Sequence, residues 1–526
     1  MTGSSDSSLS ASGSSVVSAA AETHAGIRHF ALAVVCLLAA SAVSYALPTL
    51  DQFRPWVAGE RAPVVRMFLR GQDRIELPGF AEAGLVGTSA SREELGRTLG
   101  SAVAATLDEP EAAVSLSAVE PSPRPVPAKD PDDALPAVRI DPGEYAGITQ
   151  EIELPHFLER FFSKLERTAQ RREAAITRVA HYGDSSVAAD AITRTARRRL
   201  QTRFGDSGHG FILISRGDMH YGHHDIRHRS SGGWNMLSLV RDQLRHGYYG
   251  YGGVQARAKA GEYASFETSK DGAIGKRVSR FELYFQRHKR GNKVRIYVDG
   301  RRRHAIDTRH SERQDDYFFL EVSDGPHSFK LRTSGGGYAH LYGVVLERDG
   351  PGVVYDSLGL VGARAERLLN ADASHMAAQL AHRDPDLLVL GFGGNEAGNR
   401  WLQMDRYARE LTKVVKTMRE GNPGMDCLLF GPLDQGRRNK RGRIITIESL
   451  PRIVDVQREV AEAQGCAFFN AYQAMGGKNS IRRWYKSRPQ LAGSDLRHAT
   501  PKGYEVIGKL YYKALLKGFA EFLARR

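Results

Sequence analysis

At 526 residues the chain exceeds what one hydrophobic core usually serves, so two or three folded units joined by linkers are expected. Hydrophobic residues make up 41% and charged residues 25%, which excludes wholesale disorder and a polytopic membrane protein. The net charge of +14 suits nucleic acid, an anionic envelope polymer or an acidic membrane. No zinc-ligand spacing, helix-turn-helix or aromatic RNA-binding strand accompanies that charge, so nucleic acid is set aside as a partner.

Residues 1–28 form a Ser- and Ala-rich tail without hydrophobic periodicity, expected to be disordered. Residues 29–48 hold the uncharged run Phe30 to Leu47, preceded by Arg28; its 18 residues are just enough to span a bilayer. It reads either as an uncleaved membrane anchor or as a signal peptide cut after Ala46, with Ser44 and Ala46 as the small recognition residues. Both readings place the rest of the chain at the cell envelope, on the periplasmic or extracellular face. Residues 49–149 read as a linker whose Pro-, Ala- and Asp-rich part, including Pro121-Ser122-Pro123-Arg124-Pro125, makes an extended tether.

Folding patterns begin near Glu151. Leu154, Phe157, Leu158, Phe161, Phe162 and Leu165 recur at helical spacing, and Ile176 to Ala180 then reads as a strand. From Val187 a second helical face runs through Ile192, Ala196, Leu200 and Phe204 to a stop at Gly205. Gly183-Asp184-Ser185 therefore lies in a strand-to-helix turn.

Between 213 and 350 the pattern changes to short alternating strands: Arg280 to Phe285, Val294 to Val298 ended by Asp299-Gly300, Tyr317 to Val322, Ser328 to Leu331 and Leu341 to Leu346. This spacing suggests an all-β sandwich, jelly-roll-like. From 351 to 526 strands and helices alternate again: Val353 to Tyr355, a helix over 364–381, Leu387 to Gly391, Cys427 to Phe430, a helix over 447–464, Ala467 to Phe469 and a closing helix from Gly503 to Leu523. Apolar strands interleaved with helices indicate a parallel α/β sheet covered on both faces. Residues 150–212 and 351–526 are thus two parts of one α/β/α domain, and 213–350 is an insertion.

The three cysteines suggest neither a disulfide framework nor a metal site: Cys36 lies in the apolar run, and Cys427 and Cys466, each in its own apolar run, read as buried free thiols. The segment Met219-His220-Tyr221-Gly222-His223-His224, with His228 nearby, lacks cysteine or acidic companions at metal-ligand spacing and reads as loop histidines. Arg301-Arg302-Arg303-His304 reads as a solvated hairpin face. No metal and no cofactor is expected.

Four separated segments carry chemistry: Gly183-Asp184-Ser185, Gly359-Leu360-Val361-Gly362, Gly393-Gly394-Asn395 and Asp495-Leu496-Arg497-His498. Each lies at a strand end or ahead of the last helix, the edge where open α/β sheets bind ligands. Serine becomes a nucleophile when a base takes its proton and a carboxylate holds that base; Ser185, His498 and Asp495 supply the three. The attacked carbonyl oxygen then needs waiting donors, for which the Ser185 and Gly362 backbone N–H groups and the Asn395 amide are the candidates. A second Gly-Asp-Ser, Gly205-Asp206-Ser207, ends a helix and reads as a turn.

In this order the four segments resemble the characteristic blocks of the SGNH (GDSL) hydrolase superfamily, over roughly residues 150–526. HYGDSSVAAD, YDSLGLVGAR, LGFGGNEAG and SDLRHATPKGYEVIG are similar to bacterial peptidoglycan and polysaccharide O-acetylesterases that carry an inserted carbohydrate-binding-module-like β domain. The resemblance implies a flavodoxin-like parallel sheet and an O-acetylesterase acting on an acetylated envelope glycan or peptidoglycan. Relatives often have Asn-Gly where this chain has Val361-Gly362, and His or Leu where it has Ser186. Two other readings stand beside the esterase: an O-acetyltransferase using the same triad, and a glycan-binding envelope protein without turnover.

Overall fold

The computed structural model describes residues 138–172 and 175–526. The tail, the apolar run Phe30 to Leu47 and most of the linker lie outside the described residues. Among the described residues no helix is long and apolar enough to cross a membrane.

The central sheet has the order Ile152–Glu153, Ala467–Phe469, Asp426–Phe430, Leu387–Gly391, Ile176–Gly183, Gly352–Gly359. Its pairings are parallel except at the Ile152–Glu153 edge, which runs antiparallel to Ala467–Phe469. Counted along the chain, the parallel strands lie in the flavodoxin-like order 2-1-3-4-5, with the switch point between Ile176–Gly183 and its two neighbours. These strands are buried on both faces because helices cover both sides: Glu159–Ala169, Ala191–Phe204 and Pro501–Ala524 share one cluster, and Met404–Arg419 with Ser449–Ala463 share another.

The α/β regions differ from the sequence reading in several places. The periodic stretch after Glu151 opens with the strand Ile152–Glu153 and a 3-10 turn, Pro155–Leu158, before the helix Glu159–Ala169. The helix expected over 364–381 is split into a 3-10 segment, Ala365–Asn370, and the helix Ala373–Arg383. Asp372 causes the restart: its side chain accepts the His375 N–H at 2.9 Å, and its own N–H donates to the Gly247 carbonyl of the β region. A helix not anticipated, Met404–Arg419, buries Tyr407, Leu411, Val414, Val415 and Met418 on one face. Finally, Cys427 and Cys466 are not free thiols. Their strands are parallel neighbours with Leu428 opposite Ala467, so the cysteines face each other at a Cα separation of 4.6 Å and form a disulfide.

Between the first two parallel strands the chain builds two antiparallel sheets. One has the order Arg301–Asp307, Lys293–Val298, Ser328–Ser334, Tyr263–Thr268, Ile226–Ser230; the other runs Gln314–Gly325, Val278–Arg287, Ala339–Glu347, Val254–Ala258, Asn235–Ser238. Gly208–Leu213, which spans residue 212, pairs antiparallel with Ala339–Glu347 in the second sheet. Alternate residues of both sheets meet in one core, where Phe281 stacks on Phe329 with ring centroids 4.7 Å apart. Burying each such aromatic or aliphatic side chain is worth about 1.5–3 kcal/mol. Arg301, Arg302 and Arg303 lie on the exposed edge strand.

The β region is fastened to the α/β sheet by a buried ion network. Glu347 accepts from Arg178 at 2.9 Å and from Arg383 at 2.6 Å, and Arg383 also reaches Asp356 at 2.8 Å. Burial works against the Glu347 anion, yet Arg383 and Arg178 hold its carboxyl well below the usual carboxylate range. The buried ring of His375 likewise pairs with Asp315 across this junction at 2.6 Å.

Candidate active site

The strand Ile176–Gly183 ends in a tight turn that presents Ser185. Asp184 caps the short helix Ser185–Ala188 by accepting the Ser186 N–H at 2.9 Å, and the Leu360 N–H donates to the Gly183 carbonyl at 2.8 Å. At Gly359 a Cβ would come within 2.0 Å of the Ala188 nitrogen, so only glycine lets the neighbouring strand end approach the Ser185 turn so closely.

His498 arrives from the loop before the last helix. Leu496, in the left-handed region at φ 58° and 6% exposed, anchors that loop in the core. Ser185 Oγ and His498 Nε2 lie 2.9 Å apart, and His498 Nδ1 lies 2.6 Å from Asp495 Oδ2. The other Asp495 oxygen accepts the backbone N–H groups of Arg497 and His498, each at 3.1 Å. Although burial opposes ionisation of Asp495, the His498 ring and these two N–H groups hold its carboxyl below its ordinary value. The three side chains, 313 positions apart at the extremes, thus stand in one hydrogen-bonded line from hydroxyl to imidazole to carboxylate, the arrangement that a serine triad requires. The side chains of His498 and Asp495 are 51% and 47% exposed, so the site opens to solvent.

The remaining expected residues gather at the same edge. Asn395 lies past the strand Leu387–Gly391 and lines one cleft with Ser185, Gly394, Arg497 and His498. Its amide donates to the Ala363 carbonyl at 2.8 Å and leans toward Asp184 Oδ2 at 3.5 Å. Gly362, at φ 78°, sits exposed in the adjacent loop one residue before that carbonyl. Asp184 is buried, which pushes its carboxyl up.

Gly205-Asp206-Ser207 serves elsewhere. Asp206 accepts the Gly208 N–H and the buried Ser207 hydroxyl donates to the Gly350 carbonyl, so this copy closes a turn between the helix and the β region. Among the loop histidines, His228 stacks on Phe266 at 4.8 Å and His223 reaches the His209 carbonyl, whereas His220 and Met219 are exposed.

Glu396 is the residue of this site that the sequence reading missed. It is 1% exposed and accepts the N–H groups of Ala365 at 2.9 Å and Gly393 at 3.0 Å. A carboxylate directly after Asn395 at the end of an apolar strand is the signal that marks it; one of its partners, Ala365, lies on a separate loop.

Residues 322–506 match the GDSL-like Lipase/Acylhydrolase family. The match contains Gly362, Asn395, Asp495 and His498; Ser185 precedes it, on the other side of the β region. No curated protein matches the chain. Among solved structures, one of a peptidoglycan O-acetylesterase is similar with a TM-score of 0.57 at 21% identity, covering 70% of this chain and 97% of that one. A family two carbohydrate esterase from Cellvibrio japonicus matches at 11% identity and a TM-score of 0.24, covering 57% of this chain and 99% of that one. The first likeness, with the sheet order, gives the fold, and within it residues 322–506 carry the match to the GDSL-like Lipase/Acylhydrolase family.

Proposed function

We propose that the protein is an extracytoplasmic serine esterase that removes short O-acyl groups, acetyl above all, from an envelope glycan or peptidoglycan. The relay from Ser185 Oγ through His498 to Asp495 carries this reading. His498 Nε2 takes the serine proton as Oγ attacks the ester carbonyl, and Asp495 steadies the imidazolium. The Ser185 and Gly362 N–H groups support the oxyanion, joined by the Asn395 N–H that leans on Asp184 Oδ2 at 3.5 Å in the free protein and turns to the incoming oxygen while the other stays on Ala363. His498 then returns the proton to the leaving sugar oxygen, and water, activated by the same base, releases the acyl group. The half-exposed His498 and Asp495 favour water as the acceptor over a sugar hydroxyl, since acyl transfer requires water to be kept out.

Three observations support a glycan outside the cytoplasm. The fold resembles that of a peptidoglycan O-acetylesterase. Trp401 is 88% exposed on the loop that leaves Asn395, its backbone N–H donating to the Asn399 side chain at 3.0 Å and its ring face free to stack on a sugar ring. The Cys427–Cys466 disulfide and the apolar run Phe30 to Leu47 suit an exported, membrane-tethered or secreted chain.

The test is acetate release by the purified protein from 4-nitrophenyl acetate and from an O-acetylated peptidoglycan, beside Ser185→Ala. Wild type should release acetate from both and the variant from neither. Equal rates from the two proteins would sink the esterase reading; release from the nitrophenyl ester alone would sink the glycan.

A further inference from the structure

We propose that Glu396 is a positioning residue that clamps the two loops carrying the oxyanion donors into register with Ser185. This rests on the esterase reading. Asn395 and Glu396 grip the loop Leu360–Ala365 at two points of opposite polarity. The Asn395 amide donates to the Ala363 carbonyl at 2.8 Å, while one Glu396 oxygen accepts the Ala365 N–H at 2.9 Å. The second Glu396 oxygen closes its own turn through the Gly393 N–H at 3.0 Å. Gly362, at φ 78°, sits in a turn closed by the Ala363 N–H donating to the Leu360 carbonyl at 3.0 Å, and a Cβ there would meet nothing beyond its chain neighbours within 4 Å. The bond to Ala365, three residues on, ties the far end of that turn to the Asn395 loop.

The surroundings single out a carboxylate. Glu396 is 1% exposed and has no salt-bridge partner among the described residues, so both its oxygens answer only to backbone N–H groups. Burial pushes the carboxyl up to about 7, and the Asp184 carboxylate nearby adds to the shift. A carboxyl kept in so unfavourable a place is explained if two acceptor oxygens on one group are required. Glutamine has the same shape but one acceptor, and would aim an NH2 at an N–H. Aspartate is shorter and keeps both acceptors.

The full chain with Glu396→Gln and with Glu396→Asp, assayed on 4-nitrophenyl acetate at about pH 8.5 where the wild-type group is ionised, separates the roles. The clamp predicts that Glu396→Gln loses at least about tenfold in kcat with KM within about threefold, because donors aimed at the transition state are displaced. Its thermal midpoint should stay level or rise, since a buried charge is relieved. Glu396→Asp should retain more kcat than Glu396→Gln, and hydrogen exchange at the Ala365 amide should quicken in Glu396→Gln. A residue that merely fills space gives the reverse order, glutamine better than aspartate, and that order overturns the clamp. So does a Glu396→Gln variant with kcat within about twofold of wild type. If wild type itself releases no nitrophenol while folded, the esterase reading fails first and the clamp falls with it.

Discussion

Asp495→Asn is the sharpest probe of the relay. Asp495 uses one oxygen to close the turn under Arg497 and His498, at 3.1 Å to each N–H, and the other to hold His498 Nδ1 at 2.6 Å. Asparagine is isosteric, but only its carbonyl oxygen can accept the two backbone N–H groups. Its NH2 must then face Nδ1, which becomes an acceptor and moves the ring proton to Nε2. That nitrogen points at Ser185 Oγ from 2.9 Å and can no longer take its proton. The same tautomer error in serine proteases costs about 10⁴ in kcat, or about 5.4 kcal/mol of transition-state stabilisation. Steady-state hydrolysis of 4-nitrophenyl acetate should therefore fall by three to four decades, about 4–5.4 kcal/mol, with KM little changed and the fold intact by circular dichroism. A folded Asp495→Asn protein retaining more than about a tenth of wild-type kcat would refute the assigned role of the carboxylate.

Other regions of the molecule give further tests. The Cys427–Cys466 bridge closes 39 residues, so reduction or Cys466→Ser should lower unfolding stability by about 4 kcal/mol in urea titration. Glu347→Gln should cost about 3–5 kcal/mol near neutral pH by leaving Arg178 and Arg383 without their shared anion. Because the folded Glu347 carboxyl lies below its unfolded value of about 4.3, its stabilisation is complete above that value and lost as pH falls through the folded one. The wild-type urea midpoint should thus fall more steeply below about pH 4 than that of the variant. Trp401→Ala should raise KM on O-acetylated peptidoglycan by about fivefold to tenfold, the worth of one exposed aromatic contact, and leave 4-nitrophenyl acetate hydrolysis unchanged; an unchanged KM on the polymer would remove Trp401 from the site.

Most of the architecture is legible locally. The apolar runs at Ile176, Leu387, Cys427 and Ala467 have the length and flanks of buried parallel strands, and each is one. Met404–Arg419 is equally legible, since Tyr407, Leu411, Val414 and Met418 repeat every three or four residues between its charges. The split at Asp372 is not, because the competing bond comes from Gly247, more than a hundred positions away.

The four motif segments stand out in the amino-acid sequence because three sit where a hydrophobic strand stops and the fourth lies just ahead of the last helix. That pattern by itself determined the strand-to-helix turn at Ser185, the pairing of His498 with a carboxylate three residues earlier, and the α/β class. Only the tertiary structure decided which distant groups meet. Strand register puts Cys427 opposite Cys466, and loop packing turns Glu396 from one acidic residue into the acceptor for two backbone N–H groups. The physical reason is the same in both cases. Periodicity reports which way a side chain faces within its own element, whereas pairing depends on how two elements slide past each other, and that is settled by the core they share.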